Sequence, residues 1–355
     1  MGISKVVPIR VAKAWRWATD GNSGLLGLKK SITVVGAGVL GLWQALRLAQ
    51  DGHAVRLVEA SLTPFSESAS RWAGAMIAPE CEAESAPALV RDLGRGSLAA
   101  WRAVVPCVIE NGTLVVAPAR DQSEIARFAR LTEGHQKLAS REIAKLEPDL
   151  DGRFDAGLFY GNEAHMNAGS ALTCLLDAVR QAGIEMLFGE TWSGASDGLV
   201  IDCRGYAARR DLKTLRGVRG ERLVLETRDV TLSRPVRLIH PRQPIYVVPQ
   251  GDGRFVIGAT VIEREDDSPM TVRSALELLG SAYALHPAFG EAAIIDMGAG
   301  VRPAFPDNVP RAIVSKDART IHVNGAYRHG FLLAPVLADA VAAFVQTGAK
   351  NVLIR

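Results

Sequence analysis

Three glycines and one acidic residue near the start of the sequence have the spacing of a phosphate-binding motif. Gly36, Gly38 and Gly41 follow an apolar, β-branched run, and Glu59 ends a second such run roughly 20 positions later. In a strand–turn–helix unit, these glycines permit the turn, the approach of a diphosphate and tight helix packing. The helix N-terminus then offers N–H groups and a partial positive charge to the diphosphate. The motif therefore predicts a dinucleotide site.

The residues around this motif bear on which dinucleotide it holds. Glu59 could accept hydrogen bonds from both ribose hydroxyls and would repel the 2′-phosphate of NADP, but it does not separate NAD from FAD. The seven histidines form no grouping suited to a nicotinamide enzyme, and no serine lies in a Gly-x-Ser-x-Gly motif. A flavin carries its own redox centre, and the sequence holds one complete fingerprint, since Gly298-Ala299-Gly300 runs into Arg-Pro. We therefore favour FAD that is reduced by an organic substrate.

The overall composition restricts the class of protein. The 355 residues are 48% hydrophobic and 22% charged, with a formal net charge of +3 and four cysteines without zinc-ligand spacing. The interspersed charge predicts no nucleic-acid partner, and no uninterrupted apolar run reaches the length of a membrane span. We expect a cytoplasmic protein with buried thiols. Residues 1–30 are basic and lack a signal-peptide core, so we expect a loosely packed extension, with an amphipathic anchor as the alternative.

The apolar pattern predicts an α/β fold with a second, α+β part. A helix at 168–182 and strands at 184–188 and 199–203 would return to the first α/β layer after a long excursion, and strand-like periods begin at 221. We predict a Rossmann-like FAD-binding domain and a substrate domain with a mixed or antiparallel sheet. The predicted segments are the extension 1–30, the FAD-binding domain 31–110, 165–220 and 295–355, and the substrate domain 111–164 and 221–294.

Shorter signals predict further elements. Asp121 and Glu124 have capping-box spacing before a helix at 125–131, and the sequence Gln-Gly-Asp-Gly at 250–253 is a hairpin signal. The remaining predicted elements are a helix at 93–108, a helix at 271–285, strands at 222–226, 245–248, 254–259, 293–296 and 320–324, a turn at 325–330 and a helix from about 335 to 344.

Several segments of the sequence, taken together, indicate a protein family more specifically than the dinucleotide fingerprint does. They cover residues 34–59, the small-residue loop 69–79, Tyr-Val-Val-Pro at 246–249, residues 253–260 with Gly-Ala-Thr, Gly-Val-Arg-Pro at 300–303, and 324–335 with Arg-His-Gly-Phe-Leu-Leu-Ala-Pro. In this order they resemble the D-amino-acid oxidase superfamily of FAD-dependent oxidoreductases, and within it the glycine oxidases of thiamine biosynthesis. The resemblance extends from about residue 31 to the C-terminus.

The resemblance implies FAD bound without a covalent link, because relatives with covalent flavin use a C-terminal cysteine and none follows Cys203. Relatives tend to carry Ala-Gly-Met where this chain has Gly-Ala-Met at 74–76. The residues assigned to FAD binding are Gly36, Ala37, Gly38, Val39, Leu40, Gly41, Glu59, Ala60, Ser61, Ala69, Ser70, Gly74, Ala75, Met76, Trp192, Ala326, Tyr327, Arg328, His329, Gly330, Phe331 and Leu332.

Four residues are candidates for contact with an amino acid substrate. Arg302 follows an apolar strand and precedes a proline, a pattern that suits the end of a strand at a cavity. A guanidinium there could bind a carboxylate through two hydrogen bonds. The alternative is a surface ion pair. Arg328 could hold the same carboxylate or the flavin. Tyr246 could donate a hydrogen bond from its hydroxyl to the substrate carboxylate; the alternative is a half-buried strand tyrosine. Val261 could form a wall of the substrate pocket; the alternative is an ordinary core valine.

The resemblance also implies a reaction. A hydride would pass from the substrate α-carbon to flavin N5, the imine would leave or hydrolyse to glyoxylate and ammonia, and O₂ would reoxidise the flavin to give hydrogen peroxide. Glycine is the implied substrate, and the imine would be passed to a thiazole synthase. A D-amino acid or sarcosine oxidase or dehydrogenase, a flavin-binding subunit of a larger complex, and an NAD dehydrogenase are the alternatives. A homo-oligomer is compatible with the sequence.

Overall fold

The computed structural model describes residues 29–194 and 196–355, so the predicted extension 1–30 lies almost wholly outside the described residues. The strands of the described part form two large sheets and one small ribbon. In chain order they are β1 (Ser31–Val35), β2 (Ala54–Glu59), β3 (Met76–Ile77), β4 (Thr113–Val116), β5 (Gln136–Ala139), β6 (Ala156–Tyr160), β7 (Ala164–His165), β8 (Glu185–Phe188), β9 (Leu199–Asp202), β10 (Arg216–Glu226), β11 (Val236–Leu238), β12 (Ile245–Pro249), β13 (Arg254–Gly258), β14 (Ala293–Ala304), β15 (Arg311–Val314) and β16 (Thr320–Asn324).

Helices connect these strands and cover the sheets. Short 3₁₀ helices at Ala69–Trp72, Ala119–Asp121, Pro148–Leu150, Gly205–Arg210 and Pro287–Glu291 lie between the longer elements. The α-helices are α1 (Val39–Gln50), α2 (Pro79–Glu82), α3 (Ala88–Gly94), α4 (Ser97–Val104), α5 (Gln122–Leu131), α6 (Ser140–Leu146), α7 (Ala168–Gln181), α8 (Val272–Leu285) and α9 (Gly330–Thr347).

The first sheet has six strands in the order β15-β16-β9-β1-β2-β8. The central strand β1 runs parallel to both β2 and β9, and four of its five residues are buried, as expected of a strand inside a parallel sheet. Helix α1 packs against α7 and α9, and the apolar residues of these elements form the largest core. The predicted α/β fold with a Rossmann-like sheet is confirmed.

Two glycines of the fingerprint have the predicted mechanical roles. Gly36 has a φ of +96°, and a Cβ there would lie 2.7 Å from the carbonyl oxygen of Cys203. A Cβ on Gly41 would overlap the carbonyl oxygen of Gly36, so this glycine lets α1 pack closely on the turn. Gly38 keeps an ordinary φ and faces the hydroxyl groups of the loop at 68–70.

The second sheet has eight strands in the order β14-β10-β13-β12-β11-β4-β6-β5, with α8 packed on it. The predicted hairpin at 250–253 joins the antiparallel strands β12 and β13. The predicted domain boundaries at 220 and 294 fall inside β10 and β14, which pair along their whole length. Residues 217–223 of β10 are all buried, so no polar–apolar alternation marks the start of this strand. The division into two domains stays a prediction.

Two predictions of local structure were wrong. The helix predicted at 93–108 is interrupted, because α3 ends at Gly94 and α4 begins at Ser97. The capping box at Asp121 and Glu124 does not form, since the Asp121 side chain makes no capping hydrogen bond and Glu124 accepts one from Arg127 at 2.7 Å instead. A neighbouring charge therefore competes successfully for the carboxylate that sequence spacing assigned to the helix end.

Helix α9 begins earlier than predicted and contains a proline. It starts at Gly330, inside the predicted turn, and Pro335 lies within it. Proline lacks the N–H that would reach the carbonyl of Phe331, four residues back. The indole Nε1 of Trp101 donates to that carbonyl at 2.8 Å, and the hydroxyl of Ser97 donates to the carbonyl of Leu332. The Trp101 indole of α4 thus replaces the bond that proline removes, and Ser97 adds a second contact between the two helices.

Helix α9 also bears on the prediction that no segment spans a membrane. Its 18 residues are long and apolar enough for a span by length and composition, which the sequence analysis did not recognise. However, 61% of this stretch is buried inside the fold, where it packs against α1. The apolar character of α9 is therefore accounted for by the core of the first sheet.

All four cysteines are free thiols, as predicted, but they differ in burial. Cys81 and Cys203 are buried, and burial raises the pKa of both thiols well above the ordinary value. Cys107 and Cys174 are only half-buried, so the prediction of buried thiols is wrong for these two.

Candidate functional site

One large cleft connects the fingerprint to the second sheet. Its volume is about 1470 Å³, which exceeds the roughly 300–1,000 Å³ of ordinary small-molecule pockets. The loop 65–76 and the start of α9 form its sides, while β10, β12 and β14 form its far end. A cleft of this size can hold a dinucleotide together with a small substrate.

Glu59 ties the end of β2 to the fingerprint. Its Oε2 accepts a hydrogen bond from the N–H of Ala37 at 2.6 Å, and its Oε1 accepts one from the N–H of Ser61 at 2.9 Å. A carboxylate has about four lone-pair positions, so capacity remains for ribose hydroxyls. Glu59, Ala60 and Ser61 all line the cleft. The arrangement therefore suits the predicted role of this acid.

The hydroxyl-rich loop is fastened to the start of α1. Ser68 caps the 3₁₀ helix by accepting from the N–H of Ser70 at 3.2 Å, and Ser70 Oγ accepts from the N–H of Val39 at 3.1 Å. The fingerprint predicted that this N–H would be free for a diphosphate. The structure instead places two hydroxyls beside Gly38, where they and the helix N-terminus surround one end of the cleft.

The segment at 74–76 carries the Gly-Ala-Met noted in the sequence. Ala75 has a φ of +48°, a left-handed conformation that favours glycine, the residue that the resemblance implies at this position. Gly74 has a different role, because a Cβ there would lie 2.9 Å from the ring of Tyr246. The absence of that Cβ leaves the loop close to the sheet, and Gly74, Ala75 and Met76 all line the cleft.

The predicted C-terminal turn at 325–330 precedes α9, which includes only the last residue of the turn, Gly330. Tyr327 donates its N–H to the carbonyl of Pro303 at 2.8 Å, which holds the turn against β14. Of the predicted cofactor residues, all line the cleft except Ala37, Gly41 and His329, which lie behind the lining residues. The contact of each lining residue with FAD stays a prediction.

Arg302 lies within β14 and not at a strand end as predicted. Pro303 continues the pairing opposite Gly217, and the absence of a Cβ on Gly220 leaves room for the guanidinium. Nη1 donates to the carbonyl of Thr260 at 3.1 Å, and no carboxylate of the described residues lies within ion-pair distance. Burial lowers the pKa of this guanidinium. The predicted alternative, a surface ion pair, is therefore wrong. The Arg302 guanidinium faces the cleft and is available to bind an anion there.

Tyr246 and Val261 lie near this guanidinium. The Tyr246 hydroxyl is above Gly258, where a Cβ would approach it to 2.5 Å, and Arg302 is close enough to act on it electrostatically. Burial raises the pKa of the Tyr246 hydroxyl, so it stays protonated and can donate to a carboxylate. Val261 lines the cleft and is 50% exposed, which excludes a plain core role.

Arg328 belongs to an ion-pair cluster that the sequence analysis missed. Its Nε lies 3.0 Å from Glu82 Oε2, and Arg237 Nη2 donates to Glu82 Oε1 at 2.8 Å. Nδ1 of the buried His329 lies 3.3 Å from the same carboxylate. Burial alone would raise the pKa of Glu82, but Arg328, His329 and Arg237 hold it well below the usual value. Arg328 is thus already paired, and Glu82 fixes its position.

A second missed feature is a surface of glycines beneath aromatic and basic side chains. Gly298 and Gly300 lie under the ring of Trp72, where Cβ atoms would overlap it or approach it to 2.9 Å. The sequence analysis treated this Gly-x-Gly as an incomplete fingerprint, although it belongs to β14. The alternation of the two glycines was the signal available, because residues two apart face the same side of a strand. Arg222, beside them on β10, also lines the cleft.

With this geometry in place, comparison with known proteins decides the family. The family model described as FAD dependent oxidoreductase, DAO, matches residues 31–344. The chain belongs to this family. It is therefore an FAD-dependent oxidoreductase, and the resemblance inferred from the sequence motifs is confirmed. The cleft, Glu59 and the hydroxyl-lined start of α1 fit the size and polarity of FAD.

Individual relatives agree with this assignment. A putative thiamine biosynthesis oxidoreductase, ThiO, of Rhizobium etli is 51% identical over 313 residues, which cover 88% of this chain and 95% of the relative. A bifunctional ThiO/ThiG protein of Trichormus variabilis is 24% identical, and the match covers 53% of its length. The crystal structure of glycine oxidase from Geobacillus kaustophilus has a TM-score of 0.75 at 21% identity, covering 92% of this chain and 97% of that one, which shows a shared fold.

Proposed function

We propose that this protein oxidises the amine of glycine, with Arg302 holding the substrate carboxylate. The observation that carries the proposal is the partly buried guanidinium of Arg302, which has no carboxylate partner among the described residues and lies beside the Tyr246 hydroxyl, at the end of a cleft that begins at a dinucleotide fingerprint. Bound FAD would accept the hydride that the substrate α-carbon loses, which carries the two electrons of the oxidation. The assignment of glycine is supported by the shared fold with a glycine oxidase.

The residues of the chain position the substrate. A bidentate contact from Arg302 would fix the plane of the carboxylate, and the Thr260 carbonyl fixes Arg302 in turn. Tyr246 would donate its hydroxyl proton to the same carboxylate, because its raised pKa keeps that proton in place. Such positioning, together with exclusion of water, is how an enzyme without a protein acid or base at the reacting carbon can accelerate a transfer.

The remaining parts of the proposal concern the acceptor and the pathway. We propose O₂ as the electron acceptor, with hydrogen peroxide as its product, and an imine that either hydrolyses to glyoxylate and ammonia or is passed to a thiazole synthase. The relative of Rhizobium etli, 51% identical, is described as a thiamine biosynthesis oxidoreductase. In the ThiO/ThiG relatives, of which this chain spans about half, a second unit shares the chain. Both findings support a role in thiamine biosynthesis.

Spectroscopy of the purified protein tests this function. We expect a yellow protein whose flavin absorbance is bleached by anaerobic glycine faster than by sarcosine or D-alanine. The Arg302→Met variant should keep the yellow colour and lose about 10-fold to 100-fold in kcat/KM, because a hydrogen bond to a charged group contributes about 1.5–3 kcal/mol. A holoenzyme that glycine fails to bleach, or an Arg302→Met variant that is bleached at normal concentrations, contradicts the proposal.

A further inference from the structure

A second guanidinium faces the cleft and is used by nothing described so far. Arg222 is only 7% exposed, yet its Nε and Nη1 have no hydrogen-bond partner among the described residues. Its Nη2 lies 3.1 Å from Oδ2 of Asp296, a carboxylate that is itself 43% exposed. One edge of the guanidinium is therefore paired while the other two nitrogens are buried without acceptors. Buried donors of this kind cost free energy unless a ligand or a partner accepts from them.

Arg222 and Arg302 lie on the same face of the sheet. Arg222 stands opposite Gly258 on β13 and opposite Gly298 on β14, while the guanidinium of Arg302 lies above Gly220, two residues along β10. Residues two apart share a face, and a strand rises about 3.3 Å per residue, so residues 220 and 222 are about 7 Å apart along β10. The Arg222 side chain and the Arg302 guanidinium therefore occupy neighbouring positions on one face of the sheet.

Tyr246 connects the two arginines electrostatically. Both Arg302 and Arg222 act on its hydroxyl, opposing the effect of burial on its pKa. The hydroxyl lies above Gly258, the cross-strand neighbour of Arg222. Both cations therefore lie near the group that we propose to hold the substrate carboxylate.

Trp72 bounds this part of the cleft. Its ring covers the glycines of β14, and Arg222 Cζ lies 4.7 Å from the ring centroid. A cation–π contact is a structural role that would by itself account for the placement of Arg222. It leaves the Nε–H and Nη1–H donors without acceptors, however. The end-on fork of a guanidinium is Nη1 with Nη2, so a carboxylate there would accept from Nη1 beside the Nη2 that faces Asp296.

We propose that the cleft takes amino acids with a second carboxylate, Arg302 and Tyr246 holding the carboxylate beside the reacting carbon and Arg222 holding the other. This inference rests on the proposed function, because it specifies the substrate class of the same site. Glycine would then be the smallest substrate, since its one carboxylate contacts only Arg302 and Tyr246. Short amino dicarboxylates would contact Arg222 as well.

Calorimetric titration of the holoenzyme with malonate and acetate tests binding of a second carboxylate at Arg222 in the absence of turnover. We expect malonate to bind at least about tenfold more tightly than acetate, because it gains a second charge-assisted contact. In Arg222→Met, the ratio of the two affinities should fall to about one. In Asp296→Asn, the ratio should rise, because the guanidinium loses its competing carboxylate. Arg254→Met, which removes an exposed arginine paired with Glu226 on the same sheet, should keep the wild-type ratio.

The outcomes separate the alternatives. Equal binding of malonate and acetate by the wild-type protein, or a malonate preference that persists in Arg222→Met, overturns the proposal. A purely structural role through Trp72 predicts that Arg222→Met weakens both ligands equally and leaves their ratio unchanged, which also overturns it. The Asp296→Asn variant keeps the test decisive if Arg222→Met does not fold, because no rise in its ratio counts against the proposal.

A kinetic comparison separates this inference from the proposed function. D-Aspartate differs from D-alanine by one carboxylate, so the wild-type holoenzyme should favour D-aspartate in kcat/KM by about tenfold, and Arg222→Met should remove the preference. If glycine bleaches the flavin but neither ratio depends on Arg222, the proposed function stands and the inference fails. If glycine fails to bleach it while the malonate ratio responds as expected, the proposed function fails and the inference stands.

Discussion

At the scale of single residues, the candidate site is shaped as much by missing side chains as by those present. Gly220 leaves the space that the Arg302 guanidinium occupies, and Gly258 leaves the space beneath the Tyr246 hydroxyl. Gly298 and Gly300 do the same for Trp72. Because interiors are close-packed, a methyl group at any of these positions must displace the side chain above it. The glycines therefore determine where the functional groups lie.

Gly220→Ala tests this conclusion. The added methyl would overlap the Arg302 guanidinium and move it from the Thr260 carbonyl, so we expect KM for glycine to rise by about 10-fold to 100-fold, the cost of a charged hydrogen bond. Steady-state kinetics and the flavin spectrum, which should keep its colour, measure the effect.

Gly280→Ala is the matched control, because a Cβ at that position in α8 meets nothing within 4 Å. It should leave KM unchanged and raise stability by up to about 1 kcal/mol through helix propensity. An unchanged KM in Gly220→Ala would show that Arg302 does not act from the position described.

At the scale of elements, α9 depends on a contact between helices. Pro335 leaves the Phe331 carbonyl without a helical donor, and the Trp101 indole of α4 supplies one while its ring stacks on Phe331. The same first turns of α9 line the cleft through Phe331 and Leu332. The interruption in the helix ladder is therefore repaired beside the site, by a side chain distant in sequence.

Trp101→Phe removes the donor while keeping an aromatic ring. We expect the free energy of unfolding to fall by about 1–3 kcal/mol, the cost of an unsatisfied buried carbonyl. Urea denaturation measures the loss. In the Pro335→Ala background the helix regains its own N–H donor, so the loss from Trp101→Phe should be smaller, and a double-mutant cycle gives the coupling. Equal losses in both backgrounds would mean that the indole hydrogen bond contributes nothing.

At the scale of the whole molecule, the cleft is lined by elements of both large sheets. A cofactor that fills it would contact β1 and α1 at one end and β10, β12 and β14 at the other. A ligand that binds the folded state alone stabilises it by mass action, by about 2.7 kcal/mol at a hundred times its dissociation constant. FAD should therefore contribute to the stability of the two sheets together.

Removal of the flavin tests both its attachment and this contribution. We expect acid precipitation to release the yellow colour completely into the supernatant, in keeping with non-covalent FAD. The apoprotein should melt several degrees below the holoenzyme, and added FAD should restore the melting temperature in a concentration-dependent manner. Colour that stays with the precipitated protein would contradict non-covalent binding. A melting temperature that does not respond to FAD would contradict its stabilising role.

Local patterns predicted many of the elements well. β1, α1 and β2 lie where the fingerprint placed them, α7 ends before Gly183, and the hairpin at 250–253 forms. These predictions rest on backbone geometry that neighbouring residues determine, such as turns that need glycine and apolar periods of 3.6 or 2. Predictions failed where a side-chain partner intervened: Arg127, three residues from Glu124, at the capping box, and Trp101, distant in sequence, at the start of α9.

The sequence alone determined the α/β fold and a dinucleotide site, because a phosphate cradle and a parallel sheet have short-range signatures. The order of its further motifs indicated the family and, with it, FAD. It also singled out Arg302, Tyr246 and Val261, which all line the cleft. Only the tertiary structure showed that Arg328 is already paired with Glu82, and that Arg222 faces the same cleft with unsatisfied donors. The reason is physical: the state of a charged side chain depends on which groups approach it within a few ångströms, and those groups come from strands far apart in sequence.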